Sequence, residues 1–126
     1  MERPIPGVSG DALMSPSLNL LVLRCTDIEV TAKFYRLLGF DFSQHQHGKG
    51  PKHFANEANG FVLELYPATD GRADNAALGF ATDDLEATRQ QLAEAGFVPS
   101  EIRDEPWGRV CVVRDPDFRR VELKQR

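Results

Sequence analysis

The sequence predicts an α+β domain of two βαβββ modules whose strands curve into a mixed sheet around a concave cleft. Three observations lead there. Asp27-Ile28-Glu29 recurs as Asp84-Leu85-Glu86, and Gly39-Phe40 recurs as Gly96-Phe97, every pair 57 residues apart. Each copy encloses an amphipathic stripe between an Asp that can cap a helix and a Gly that can end it. Asn59-Gly60, set between two apolar runs of strand length, is a strong type I′ hairpin signal. A chain of 126 residues has room for one such domain.

Taken in order, residues 1–17 carry Pro4, Pro6, Gly7, Gly10 and Pro16 without an apolar period, and read as a flexible leader. The domain then runs over 18–126, with modules at 18–67 and 76–124. Leu18 to Cys25 is a Leu/Val-rich strand. Asp27 caps a helix to about Leu38 whose stripe is Val30, Phe34, Leu37 and Leu38. Phe40 to His47 is the next strand, Gly48 to Pro51 the turn, Lys52 to Ala58 the return, and Phe61 to Tyr66 the last strand of the module. Pro67 to Asn75 is a polar connector. Ala76 to Ala81 opens the second module, and Asp83 or Asp84 caps a helix with the stripe Leu85, Thr88, Leu92 and Ala95. Ile102 to Glu105, Arg109 to Arg114, the turn Asp115-Pro116-Asp117 and Arg120 to Lys124 complete it. A lone module exposes one whole sheet face, so two modules bury that face together or against another chain.

Fifteen basic against nineteen acidic residues give a formal charge of −4. That sign disfavours an extended nucleic-acid or anionic-membrane surface. Arg119, Arg120, Lys124 and Arg126 form the densest basic cluster and read as a solvated strand end. Cys25 and Cys111 sit in apolar runs and read as buried thiols of a reducing compartment. No stretch approaches the roughly 20 apolar residues of a membrane span, and residues 1–17 lack the basic and apolar regions of a signal peptide. A cytoplasmic setting is expected.

Strand alternation selects the candidate site. Phe61, Leu63 and Leu65 face the helices, which leaves Val62, Glu64 and Tyr66 for the cleft; Val121 and Leu123 likewise leave Glu122 opposite. A glutamate midway along such a strand is a ligand or catalytic candidate, or is paired with Arg24, Arg114 or Arg120. Trp107, in a loop, can stack on a planar guest or cover the domain's own core. His45 and His47 share a strand face before the glycine turn and His53 follows it. This reads as an exposed hairpin, and the spacing also suits an incidental surface metal site. Serine-elbow, P-loop, GxGxxG and HExxH motifs are absent from the sequence.

Several segments together resemble the vicinal oxygen chelate superfamily of glyoxalase, bleomycin-resistance and extradiol dioxygenase proteins. They are Cys25-Thr26-Asp27 through Gly39-Phe40, Leu63-Glu64-Leu65, Phe80 to Leu85, Pro106-Trp107-Gly108, Arg114 to Asp117 and Val121-Glu122-Leu123. The resemblance spans about Leu18 to Lys124 and implies the glyoxalase/bleomycin-resistance-like fold. It also implies a metal set of two imidazoles and two carboxylates. The carboxylates match Glu64 and Glu122, but the imidazole positions fall on Leu20 and Ala77, which cannot bind metal. Phe118 stands where the family customarily has the glycine after Asp-Pro-Asp, so the terminal hairpin is expected to turn differently. What the resemblance implies best is a metal-independent small-molecule binding protein without a cofactor, a homodimer, using Arg24, Tyr66 and Trp107 to hold a ligand beside Glu64 and Glu122. The alternative is a small lyase-, isomerase- or dioxygenase-like enzyme using Glu64 and Glu122 as metal ligands or general base.

Overall fold

The 57-residue repeat produces the same local structure twice. In the computed structural model, which describes residues 15–126, Asp27 caps α1 (Ile28–Leu37) and Asp84 caps α2 (Leu85–Glu94). One carboxylate oxygen of Asp27 accepts from the amides of Glu29 and Val30 at 3.0 and 3.2 Å, and Asp84 accepts from Ala87 at 3.1 Å. Such caps contribute about 1 kcal/mol each by satisfying amides the helix itself leaves open. Asp83, the other candidate cap, pairs instead with Arg126 at 2.9 Å. Both helices end by the same device: Gly39 and Gly96 turn at φ 111° and 96°, and the amides of Phe40 and Phe97 reach back to the carbonyls of Tyr35 and Leu92. The predicted leader, apart from Ser15 to Ser17, lies outside the described residues.

The strands are β1 (Leu20–Cys25), β2 (Ser43–His45), β3 (His53–Ala58) and β4 (Phe61–Pro67) in the first module. Those of the second are β5 (Leu78–Thr82), β6 (Arg103–Glu105), β7 (Gly108–Arg114) and β8 (Arg120–Gln125). They form two four-stranded mixed sheets, ordered β1-β4-β3-β2 and β5-β8-β7-β6, so each module has the same topology. The first strand of each pairs in parallel with the last, and the helix supplies the crossover. Asn59 and Gly60 take φ 56° and 77°, as the type I′ hairpin demands.

Each helix covers one face of its own sheet, and the two covered faces merge into one core. Leu23, Leu63 and Leu65 from the first module and Val121, Leu123 and Leu92 from the second are all buried in it. Aromatic edges stitch the modules together, with Phe34 and Phe97 centroids 4.9 Å apart and Phe40 and Phe80 5.3 Å apart. Each such pair adds about 1 kcal/mol beyond the area it buries. The opposite face of each sheet stays open: Leu20 is 48% exposed, and Gly79 and Ala81 are exposed.

Several expectations change. The stripe of α1 is rotated: Thr31, Ala32, Phe34 and Tyr35 are buried, while Val30 is exposed. Tyr35 goes inside because its hydroxyl donates to the buried carboxylate of Asp115 at 2.8 Å. In α2, Ala95 is exposed as the C-cap residue, and Leu85 and Leu92 carry the contact. The strand expected over Phe40 to His47 keeps only Ser43 to His45, because Phe40 closes the helix and the Asp41 amide is taken by the Asn56 side chain at 2.6 Å. The terminal hairpin does not avoid a left-handed residue. Phe118 itself adopts φ 66°, with its amide bonded to the Asp115 carbonyl at 2.9 Å, so the turn keeps the shape a glycine would give.

The basic cluster also differs from a solvated strand end. Arg119 is fully buried and bonds Asp74 of the connector and Asp115 of the turn, each at 2.9 Å, and also the Arg24 carbonyl. Burial alone would lower its pKa, but these bonds and charges outweigh that and raise it. Thr26 is tied to Asp117 of the same turn through its amide and its hydroxyl, at 3.1 and 2.5 Å. One cation thus fixes the end of β1, the connector and the β7–β8 turn to one another.

Candidate functional site

The pairing register places the candidate residues in rows across the open face of the first sheet. Arg24 lies opposite Tyr66, and Val22 opposite Glu64, on adjacent strands. On the other side of β4, Ala55 lies opposite Glu64, and β2 then sets Ser43 opposite Ala55 and His45 opposite His53. One row therefore carries Arg24, Tyr66, His53 and His45, and the next carries Val22, Glu64, Ala55 and Ser43. Residues paired across a sheet point to the same face, so this follows from register alone.

The first row is a stack. The Arg24 guanidinium lies 5.1 Å from the Tyr66 ring centre, and His53 lies flat against Tyr66, with centroids 4.2 Å apart and planes at 9°. The His45 and His47 rings continue it, at 5.8 and 5.3 Å from His53. The histidines are thus not simply an exposed hairpin: His45 and His47 are exposed, but His53 is buried under Tyr66. Its Nδ1 lies 3.3 Å from the Pro51 carbonyl, which accepts a bond from Nδ1 whenever that nitrogen carries a proton. The other nitrogen, Nε2, has Glu64 as its nearest charged neighbour, with Oε2 at 3.9 Å.

Glu64 is 21% exposed, in the wall of a cavity of about 760 Å³ whose floor includes the small Ala55 and Ser43. All of this cavity's walls come from the first module, between Gly39 and Glu64. Glu122 occupies the matching place in the second sheet, opposite Gly79 and Val112, with Arg120 at 4.0 Å. The two glutamates therefore lie in separate sheets. Trp107 sits at the tip of the β6–β7 hairpin and is 54% exposed, which leaves its indole free for a guest rather than buried as a lid.

The positions that the resemblance assigns to imidazoles are also located by register. Leu20 lies two residues before Val22, the partner of Glu64, and Ala77 lies two residues before Gly79, the partner of Glu122. Leu20, paired with Val62, shares the face of Glu64, Ala77 lies just before β5, and neither has a donor atom. Among the described residues, no three His, Cys, Asp or Glu side chains converge as a metal site would require. The present residues do not fit the metal of the resemblance.

Sequence reasoning missed His53. The only available signal was its parity: His53, Ala55 and Glu57 alternate onto the face of Glu64 once the hairpin at Asn59-Gly60 is closed. The thiols of Cys25 and Cys111 are buried, as their apolar runs predicted, and burial pushes that of Cys25 up to about 11.

The family model described as Glyoxalase/Bleomycin resistance protein/Dioxygenase superfamily matches residues 17–123. Among solved structures, TnmS3, an antibiotic binding protein from Streptomyces sp. CB03234, is similar with a TM-score of 0.72 at 24% identity, covering 90% of this chain and 98% of its own. A glyoxalase/bleomycin resistance protein from the same organism aligns at 0.67 and 25% identity, over 86% and 100% of the two chains. Lactoylglutathione lyase from Agrobacterium tumefaciens aligns at 0.64 and 15%, over 88% and 94%. No curated protein matches the chain. A binding protein and a lyase thus share this fold, so the fold alone does not select between binding and catalysis.

Proposed function

This chain belongs to the Glyoxalase/Bleomycin resistance protein/Dioxygenase superfamily, and on that premise we propose that it is a metal-independent small-molecule binding protein. The observation that carries this reading is the pair Leu20 and Ala77, apolar side chains at the two places where imidazoles would complete a metal shell. Two carboxylates in separate sheets are a poor set for Zn²⁺, Ni²⁺ or Fe²⁺, which take imidazole or thiolate where they bind tightly. What remains on the first sheet is a carboxylate beside a flat stack and a cavity, which suits a compact, partly apolar guest. Glu64 or Glu122 fixes its polar end, and Arg24, Tyr66 and Trp107 supply stacking and charge.

The active form is a homodimer in this reading. Leu20, 48% exposed on the open face of the first sheet, and Trp107, 54% exposed at a hairpin tip, are apolar side chains that a second copy would cover. The setting is cytoplasmic, in keeping with two unpaired buried thiols. The net charge of −4 argues against nucleic acid or an anionic membrane as partner, and no described helix is long and apolar enough to cross a bilayer.

A second reading, an enzyme with Glu64 as general base, draws support from the imidazole 3.9 Å away. One comparison separates the two once a thermal-shift screen has yielded a ligand. A binder keeps measurable affinity in Glu64→Gln and shows no turnover in either form. A general-base enzyme keeps affinity and loses most of kcat. Elemental analysis of untagged protein tests metal independence: one equivalent of transition metal, absent from Glu64→Ala, would overturn it. Sedimentation equilibrium at tens of micromolar should give twice 14.1 kDa; the monomer mass would reject the dimer.

A further inference from the structure

We propose that the groove between α1 and the C-terminal end of α2 is a second binding site, for a small carboxylate with an aliphatic body. It lies on the helices rather than on the open sheet faces, so it goes beyond the reading above and does not depend on it. The first support is apolar surface that the fold leaves uncovered. Val30, Lys33 and Leu37 stand at i, i+3 and i+7 on α1, which places them along one stripe of the helix. The bond from Tyr35 to Asp115 turns the tyrosine inward and leaves Val30 43% exposed on the other side. The second module supplies Ala95 and Phe97 opposite that stripe, and the groove they complete with α1 measures about 470 Å³. Phe97 packs edge-on against the buried Phe34 at 4.9 Å between centroids, so this wall is fixed before any guest arrives. The volume suits a small organic molecule.

The second support is charge, which selects the guest. Lys33 and Arg36 both line the groove, and no carboxylate does. Arg36 is seated over the rings of Phe42 and Phe54, at 5.9 and 5.4 Å from their centres. It is held there by aromatic faces rather than by an acid. Lys33 is exposed and rises from the apolar stripe itself. The two helix ends that flank the groove add little negative charge, because carbonyls of their last turns accept from Gly39 and Phe40 after α1 and from Gly96 and Phe97 after α2.

An amphiphile with an anionic head and a hydrocarbon body therefore meets complementary partners at both ends. An ammonium head meets two cations instead. A second copy docked here about a two-fold axis would set Lys33 and Arg36 against their own counterparts, so charge disfavours that occupant as well.

The test is NMR titration of the isotope-labelled native protein with octanoate, butyrate and octylammonium, each kept below its micelle concentration. Octanoate should shift the amides of Lys33, Leu37 and Phe97 and leave those of Glu64 and Glu122 in place. Octylammonium, with the same chain and the opposite charge, should bind about tenfold more weakly. Butyrate lacks four methylenes and should also lose about tenfold, since an open groove covers the longer chain only in part. Lys33→Gln should cost octanoate about threefold, and Lys33→Arg should retain its affinity. Val30→Glu puts an acid on the groove floor at a first-turn position where α1 tolerates one, and should cost about tenfold. Circular dichroism confirms that each variant is folded. Equal binding of octanoate and octylammonium, or octanoate binding indifferent to Val30→Glu, overturns the proposal. So do shifts centred on Glu64 or Glu122, which would return the carboxylate to the sheet faces. Co-sedimentation with phosphatidylglycerol vesicles without binding of monomeric octanoate also overturns it, in favour of a membrane surface.

Discussion

Replacing Arg119 with Met is expected to destabilise the fold by about 3–5 kcal/mol. The guanidinium is fully buried, as is its partner Asp115, while Asp74 is partly covered. It bonds Asp74 through Nε at 2.9 Å and Nη2 at 3.1 Å, bonds Asp115 through Nη1 at 2.9 Å, and lies 3.6 Å from Asp117. Methionine fills the volume of the aliphatic stem but leaves the Asp115 carboxylate buried without its countercharge, and desolvated charge dominates the cost. A domain of this size has about 5–15 kcal/mol in all, so the variant is left marginal. Urea unfolding followed by far-UV circular dichroism reads the effect directly. With a slope of about 2 kcal/mol per molar, the midpoint falls by roughly 2 M at unchanged slope. Adding Asp74→Asn and Asp115→Asn to Arg119→Met removes the stranded charges and should restore at least half of the loss. A single-variant loss below about 1 kcal/mol would refute the reasoning, because it would mean that water or rearrangement compensates those carboxylates. The same variant should loosen the end of β1 at Arg24, whose carbonyl the guanidinium holds.

Three further outcomes follow from local geometry. Phe118→Gly should raise stability by up to about 1 kcal/mol, since the residue is 80% exposed and sits at φ 66°, whereas Phe118→Ala should gain nothing; thermal melts of both decide it. Asp74 is held below the usual carboxylate range: burial raises it, but the bonds from Arg119 and from the amides of Arg24 and Ala76 outweigh that. Its contribution is therefore present above about pH 4, the unfolded value, and lost as acid carries the pH through its lower folded value; Asp74→Asn should flatten that acid limb of the stability curve. Cys25 is pushed up to about 11, chiefly by burial and partly offset by the Arg119 charge. Stability should accordingly decline from about pH 9 toward pH 11, a decline that Cys25→Ala reduces, and native protein should react with a thiol reagent far more slowly than protein in urea.

Much of the module was legible because it is local. Asp27, Asp84, Gly39 and Gly96 act within a few residues of themselves, through amides that any helix end exposes, and Asn59-Gly60 needs nothing beyond its own backbone preference. Those signals survive in sequence because their partners are neighbours along the chain. The parity of Phe61 to Tyr66 is of the same kind, and it placed Glu64 and Tyr66 on one face. Tyr35 and Arg119 were misplaced for the opposite reason. Each is buried by a partner far away in sequence, Asp115 for the tyrosine and Asp74 for the arginine, and propensity and hydropathy see neither.

The sequence by itself thus determined the two-module plan, the helix ends, the hairpin and the face that each glutamate occupies, since all of these depend on spacing along the chain. Only the tertiary structure decided which neighbours those glutamates meet. Register across β2, β3 and β4 brings His53 from a hairpin to the side of Glu64, and it leaves Glu122 in the other sheet beside Arg120. Such neighbours are set by hydrogen-bonded pairing between distant segments, whose free energy depends on the whole sheet rather than on any stretch of residues within it.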